Sequence, residues 1–162
     1  MNLVCFDTQI LIWGVKQQAT PGQEANIEKA RHLIQMCDEN NIRVIVPSIV
    51  VAELLCNLPK KIHNDFRQLM QNRFIVSPFD TQAALHFANM WQSRSTNRGG
   101  ISRSEMKADF MIIAIALAHK AECIYSEDDG LTKFAKDYIL VKPLPIVTKQ
   151  LPIKNFDQGL TD

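Results

Sequence analysis

The chain has little of what marks a special class of protein. Its 162 residues include only 4 cysteines, 6 glycines and 7 prolines. None of Cys5, Cys37, Cys56 and Cys123 belongs to a Cys-x-x-Cys pair, and each lies in an apolar or amphipathic run. The expectation is reduced core thiols in a cytoplasmic protein, not a disulfide framework. His32, His63, His86 and His119 show no ligand spacing with those cysteines or with one another, which argues against zinc. Low Gly and Pro exclude collagen-like and linker classes. Excess charge of either sign is missing too. Lys+Arg 18 against Asp+Glu 17 gives +1, which excludes a protein that coats nucleic acid by bulk charge but not one with a local basic groove. The longest apolar run, Phe110 to Ala118, is far short of the roughly 20 residues of a membrane-spanning helix. No membrane association is expected. The N-terminal Met-Asn-Leu-Val-Cys-Phe-Asp has no basic patch leading into a long apolar stretch, so it does not read as a signal peptide.

What is present is the composition of one globular domain, 46% hydrophobic and 22% charged, long enough to bury a core unaided. Short apolar runs read as buried strands at Leu3 to Phe6, Arg43 to Val46, Arg73 to Val76, Glu122 to Ser126 and Tyr138 to Val141. Between them lie helical stretches. Thr8 to Val15 comes first, then Glu24 to Glu39, stopped by Asn40 and Asn41. A helix capped by Ser48 carries Glu53 and is broken by Pro59. Lys61 to Gln71 follows, then Thr81 to about Ser93, capped by Asp80. Met106 to Lys120 is apolar on nearly all sides, and Leu131 to Lys136 is short. Ser95 to Ser102 reads as a polar loop. Alternation of strand and helix implies an α/β domain with a parallel sheet covered on both faces. The domain is expected over 1–147, with 148–162 as an extended tail.

Four acids stand where a carboxylate does little for stability. Asp7 closes the first strand, Glu53 lies among Val50, Val51, Leu54 and Leu55, Asp109 opens Phe110 to Ala118, and Asp128 follows the fourth strand. A carboxylate beside buried apolar groups is costly unless compensated. From Asp109 to Lys120 a helix descends about 16 Å, and from Cys123 to Asp128 a strand climbs back about 16 Å. The two acids therefore end at similar height. If the first and fourth strands are neighbours, all four converge at the carboxyl edge of the sheet, where open α/β sheets bind ligands. Charges 4 Å apart repel by about 4 kcal/mol at an effective dielectric of 20, and a divalent cation removes that cost. Hard oxygen donors favour Mg²⁺ or Mn²⁺, which suit phosphodiester hydrolysis. Each acid also has an ordinary reading: Asp7 as a helix cap, Glu53 as a surface residue, Asp109 as a first-turn acid and Asp128 as a turn former.

Four segments together resemble the PIN-domain ribonucleases, and in size the toxin subunit of VapBC-type toxin–antitoxin pairs. They are Val4-Cys5-Phe6-Asp7-Thr8, Pro47-Ser48-Ile49-Val50-Val51-Ala52-Glu53-Leu54, Lys107-Ala108-Asp109-Phe110-Met111-Ile112-Ile113-Ala114 and Ile124-Tyr125-Ser126-Glu127-Asp128-Asp129. The resemblance spans about residues 1–142. It implies a PIN-like three-layer sandwich, with a five-stranded parallel sheet in order 3-2-1-4-5 flanked by helices. It further implies that Asp7, Glu53, Asp109 and Asp128 hold one or two Mg²⁺ or Mn²⁺ ions and carry RNA hydrolysis. Thr8, Ser126 and Asp129 would support the site, with Asp128 or Asp129 as the fourth ligand and Asp128 favoured by its spacing from Ser126. Arg94, Arg98, Arg103 and Lys107 are candidates for holding RNA phosphates, their ordinary reading being a solvated loop and helix start. Expected partners are single-stranded or structured RNA, an antitoxin if the chain is a toxin, and a second copy meeting at an apolar patch of Ile10, Leu11 and Trp13. The alternative is a catalytically silent PIN-fold module that binds RNA or protein.

Overall fold

A computed structural model describes residues 2–94 and 102–147. The chain begins with β1 (Leu3–Phe6), α1 (Thr8–Gly14) and α2 (Ala25–Glu39), followed by β2 (Arg43–Pro47) and α3 (Ser48–Cys56). A single 3₁₀ turn at Lys60–Ile62 leads into α4 (His63–Arg73) and β3 (Ile75–Ser77). Then come α5 (Thr81–Arg94), α6 (Arg103–Ala118), β4 (Cys123–Tyr125), α7 (Asp129–Ala135) and β5 (Leu140–Lys142). The sheet is five-stranded, all parallel, in order β3-β2-β1-β4-β5. The helices pack as neighbours along the chain, α1 against α2 and α3, α3 against α4, and α5 and α7 against α6, as right-handed crossovers covering the two faces of a parallel sheet require. This is the order that the family resemblance implied.

The reversal of strand order between β1 and β4 opens a crevice at the carboxyl edge. Two hydrogen bonds carry the ladder past the strand ends and fix that edge. Asp7 N–H donates to the Tyr125 carbonyl at 3.1 Å, and Ser126 N–H to the Lys142 carbonyl at 3.1 Å. Beneath lies a core in which Phe6, Phe66, Phe110 and Phe134 are fully buried. Helix α6 buries Phe110 and the whole run Ile112 to Ala116. Among the described residues no helix is long and apolar enough to cross a membrane.

Several local expectations need correction. Helix α4 runs on to Arg73, because Phe74 N–H still bonds to the Met70 carbonyl at 2.9 Å, and β3 starts two residues later than expected. Tyr138 and Ile139 N–H both return to the Ala135 carbonyl, so β5 also starts two residues late. Helix α6 starts at Arg103, where Ser102 and Glu105 form a reciprocal capping box. Ser48 is not the cap of α3; Pro47 occupies that position without a side-chain bond. Cys56 is exposed, unlike the other three cysteines. The largest correction concerns self-association. Ile10 and Leu11 are 0% exposed and Trp13 3%, because α1 lies so close to α2 that a β-carbon on Gly14 would stand 2.6 Å from Ile34 Cδ1. They are core of the monomer and offer no patch to a second copy. Residues 148–162, expected as a tail, lie outside the described residues.

Candidate active site

The four acids reach the crevice from four different elements. Asp7 ends β1, Glu53 comes from α3, Asp109 from the second turn of α6, and Asp128 stands at the N-terminus of α7. All four line one cavity of about 610 Å³, together with Thr8, Gln9, Ser104, Glu105, Ala108, Ile112 and Gly130. Asp129 is exposed and is not part of that lining.

Local hydrogen bonds set the orientation of three of them. Asp7, only 5% exposed, accepts from Thr8 N–H through Oδ1 at 2.6 Å and from the Ser126 hydroxyl through Oδ2 at 2.7 Å. The same Ser126 oxygen accepts from Asp128 N–H at 3.0 Å, so one buried hydroxyl ties β1 to the β4–α7 connection. Asp128 Oδ1 in turn accepts from Leu131 N–H at 3.0 Å and caps α7. The Thr8 hydroxyl donates to Glu53 Oε2. The ordinary reading of Asp7 as a helix cap is thus also met, while Asp128, read as a turn former, is the cap of α7; both side chains line the cavity as well.

Crowding shows in the titration of the acids. Burial pushes the Asp7 carboxyl up to about 6, the charges of Asp128 and Glu53 add to this, and the bonds from Ser126 and Thr8 oppose it. Burial pushes Asp109 up to about 7, with Asp128, Asp7, Glu53 and Glu105 adding in that order. Glu105 goes the other way. Its hydrogen bonds with the Ser102 side chain and backbone hold its carboxyl below the ordinary value. Glu105 is the fifth acid of the cavity and was not foreseen, although the Ser-x-x-Glu pattern and its i, i+4 spacing from Asp109 signalled it. Among the described residues no three His, Cys, Asp or Glu side chains already close round a single point. The carboxylates surround a space, not an atom.

The basic residues fall elsewhere. Arg103 and Lys107 are exposed and do not line the cavity. Their charges lie over the Trp91 ring, at 5.5 and 6.0 Å from its centroid. Arg98 lies outside the described residues, as does the Arg94 side chain.

Comparison with known proteins places this architecture. The family model described as "PIN domain" matches residues 4–137. The chain belongs to the PIN-domain family. Solved structures agree in fold. A chain of VapBC2 from Rickettsia felis, bound to a promoter DNA fragment, superposes with a TM-score of 0.65 at 12% identity, covering 88% of this chain and 99% of that one. A chain of DNA-bound VapBC from Salmonella typhimurium gives 0.64 at 17%, covering 90% and 100%. A chain of FitAcB from Neisseria gonorrhoeae gives 0.57 at 21%, covering 85% and 95%. Comparison with curated proteins gives no significant match. In this PIN domain the family's sheet order puts β1 beside β4 and so brings Asp7 and Asp128 to one edge.

Proposed function

We propose that this PIN domain is a divalent-metal-dependent endoribonuclease of the cytoplasm, hydrolysing RNA phosphodiester bonds at Asp7, Glu53, Asp109 and Asp128, and that it is the toxin of a toxin–antitoxin pair. One observation carries the nuclease reading: four carboxylates from four separate elements line one cavity at the strand-order switch point. No stability argument requires that arrangement, and burial, with the neighbouring acids adding to it, raises the Asp7 and Asp109 carboxyls above the ordinary carboxylate range. The toxin reading is supported by structural neighbours, among them VapBC chains and a chain of a toxin–antitoxin complex from Klebsiella pneumoniae.

The donor set fits Mg²⁺ or Mn²⁺. All candidates are hard carboxylate oxygens, and the cavity is wide enough for an ion that keeps several of its waters. Its spread of acids matches such partly hydrated binding better than a closed cage. Asp7, Glu53, Asp109 and Asp128 are the residues that would hold it. When bound, such an ion neutralises charge on the phosphoryl oxygens and lowers the pKa of water.

The chain's own groups prepare the site. Ser126 and the Thr8 N–H fix both Asp7 oxygens before any ligand arrives, and the Thr8 hydroxyl restrains Glu53. Asp109 rides on a helix anchored in the core by Phe110 and Ile113. Such preorganisation keeps reorganisation out of the reaction step.

The test is cleavage of single-stranded RNA in Mn²⁺ by wild type, Asp7→Asn and Asp109→Asn. Each variant should lose more than the roughly 10–100-fold that removal of an outer-shell partner costs, and EDTA should abolish wild-type cleavage. Equal cleavage by a variant carrying both Asp7→Asn and Asp109→Asn would refute the mechanism. RNA binding by wild type with no cleavage would leave the silent binding module.

A further inference from the structure

Helix α6 presents two chemistries on adjoining faces. Ser104, Ala108 and Asp109 line the acidic cavity. Arg103 and Lys107 precede Ser104 and Ala108 by one residue each, a turn of about 100° around the helix, and both lie over Trp91 of α5. Trp91 is itself held in place. It stacks on Phe87 with ring centroids 5.7 Å apart and planes 8° apart, and meets Phe110 edge-on at 5.8 Å. Among the described residues neither Arg103 nor Lys107 is paired with a carboxylate.

We infer that Trp91, Arg103 and Lys107 form a docking clamp for the RNA backbone flanking the scissile phosphate. This rests on the nuclease reading above and adds a strand path to it. A bound ion serves only the phosphate inside the cavity, and the surrounding carboxylates repel the flanking ones, so cations within about a Debye length, ~10 Å, help to hold the strand. Arg103 and Lys107 are the chain neighbours of Ser104 and Ala108 in the cavity lining, on a helix ~10–12 Å across. A strand whose scissile phosphate enters the cavity then has its next phosphates beside Arg103 and Lys107. Trp91 restricts two long side chains through cation–π contact before the strand arrives, so less rotamer freedom is lost on binding. An acidic peptide would match the two cations but gains nothing from the adjoining phosphodiester cavity.

Binding of a short fluorescein-labelled single-stranded RNA is measured by anisotropy in Ca²⁺, between about 50 and 200 mM salt. Cleavage is followed in parallel in Mn²⁺. Arg103→Gln with Lys107→Gln, at exposed positions, should flatten the salt slope by roughly 1.4, about 0.7 per lost phosphate contact on a single strand. It should raise KM and leave kcat unchanged. Trp91→Leu keeps both charges and hence the slope, but should weaken binding about 3-fold or more, while Trp91→Phe restores most of it. An unchanged slope in the double variant of a protein that binds and cleaves RNA overturns the clamp and leaves the nuclease reading standing. Wild type that neither binds nor cleaves RNA overturns both. Should an acidic peptide compete as well as RNA of equal charge, the surface belongs to a protein partner and the clamp is overturned. Should Trp91→Leu unfold, the double variant still decides the question.

Discussion

Asp7 gives a quantitative handle on the carboxylate site. Its carboxyl rises from the ordinary 3.8 to about 6 because it is buried beside other acids. The folded protein therefore binds a proton between about pH 4 and 6 that the unfolded chain has released, and stability falls as pH rises through that window. The stabilising contribution is fully present below the unfolded value and is lost above the folded one. A shift of about 2 units corresponds to about 3 kcal/mol, which in a domain of this size moves the melting temperature by roughly 6–12 °C. Asp109, raised to about 7, acts in the same direction and extends the loss toward neutrality. It is partly solvent-exposed, so its contribution is discounted for screening. A divalent ion bound only by the folded state restores about 2.7 kcal/mol at a hundredfold excess over Kd, and protons compete with it. Melts in EDTA and in Mn²⁺ should thus differ little at about pH 5 and strongly at about pH 7.5. Asp7→Asn should melt higher than wild type in EDTA at the upper pH and respond less to Mn²⁺. An EDTA-treated wild type that gains stability relative to Asp7→Asn as pH rises, or a Mn²⁺ shift equal at both pH values, would refute the reasoning.

Other perturbations follow from the same contacts. Ser126→Ala removes the acceptor of Asp128 N–H and a donor to Asp7; it should cost about 1–3 kcal/mol by urea denaturation and lower RNA cleavage roughly 10–100-fold. Thr8→Val frees Glu53; combined with Glu53→Gln it should cost less than the sum of the two single effects on cleavage, and strict additivity would show that the bond does not position Glu53. Leu11→Ala should cost about 2–5 kcal/mol because Leu11 is core, with no change in solution mass by light scattering at a temperature where it stays folded. A change of mass there would return α1 to an interface role.

Much of this site was legible because its signals are local. An apolar run ending in an acid, as at Phe6-Asp7, reads as a buried strand delivering a carboxylate to a sheet edge, and Asp109 before Phe110 reads as the acid of a buried helix. Sheet order came from the family resemblance, and with it the neighbourhood of Asp7 and Asp128. What escaped depends on packing between distant segments. An amphipathic pattern at Ile10, Leu11 and Trp13 looks the same whether it meets α2 or a second molecule. Arg103 and Lys107 precede Asp109 by six and two residues, but the rotation of α6 and the position of Trp91 on α5 decide where their charges lie. Glu105 is different: its capping-box signal is local and was overlooked among basic neighbours.

The most direct test of the central claim is product analysis of RNA cut in Mn²⁺ by wild type and by Asp7→Asn/Asp109→Asn, in water labelled with heavy oxygen. Hydrolysis at the four-carboxylate site predicts heavy oxygen in the product phosphate within the first turnover, no 2′,3′-cyclic phosphate, and no product from the double variant. A cyclic phosphate terminus, or cleavage that survives the double substitution, would contradict it.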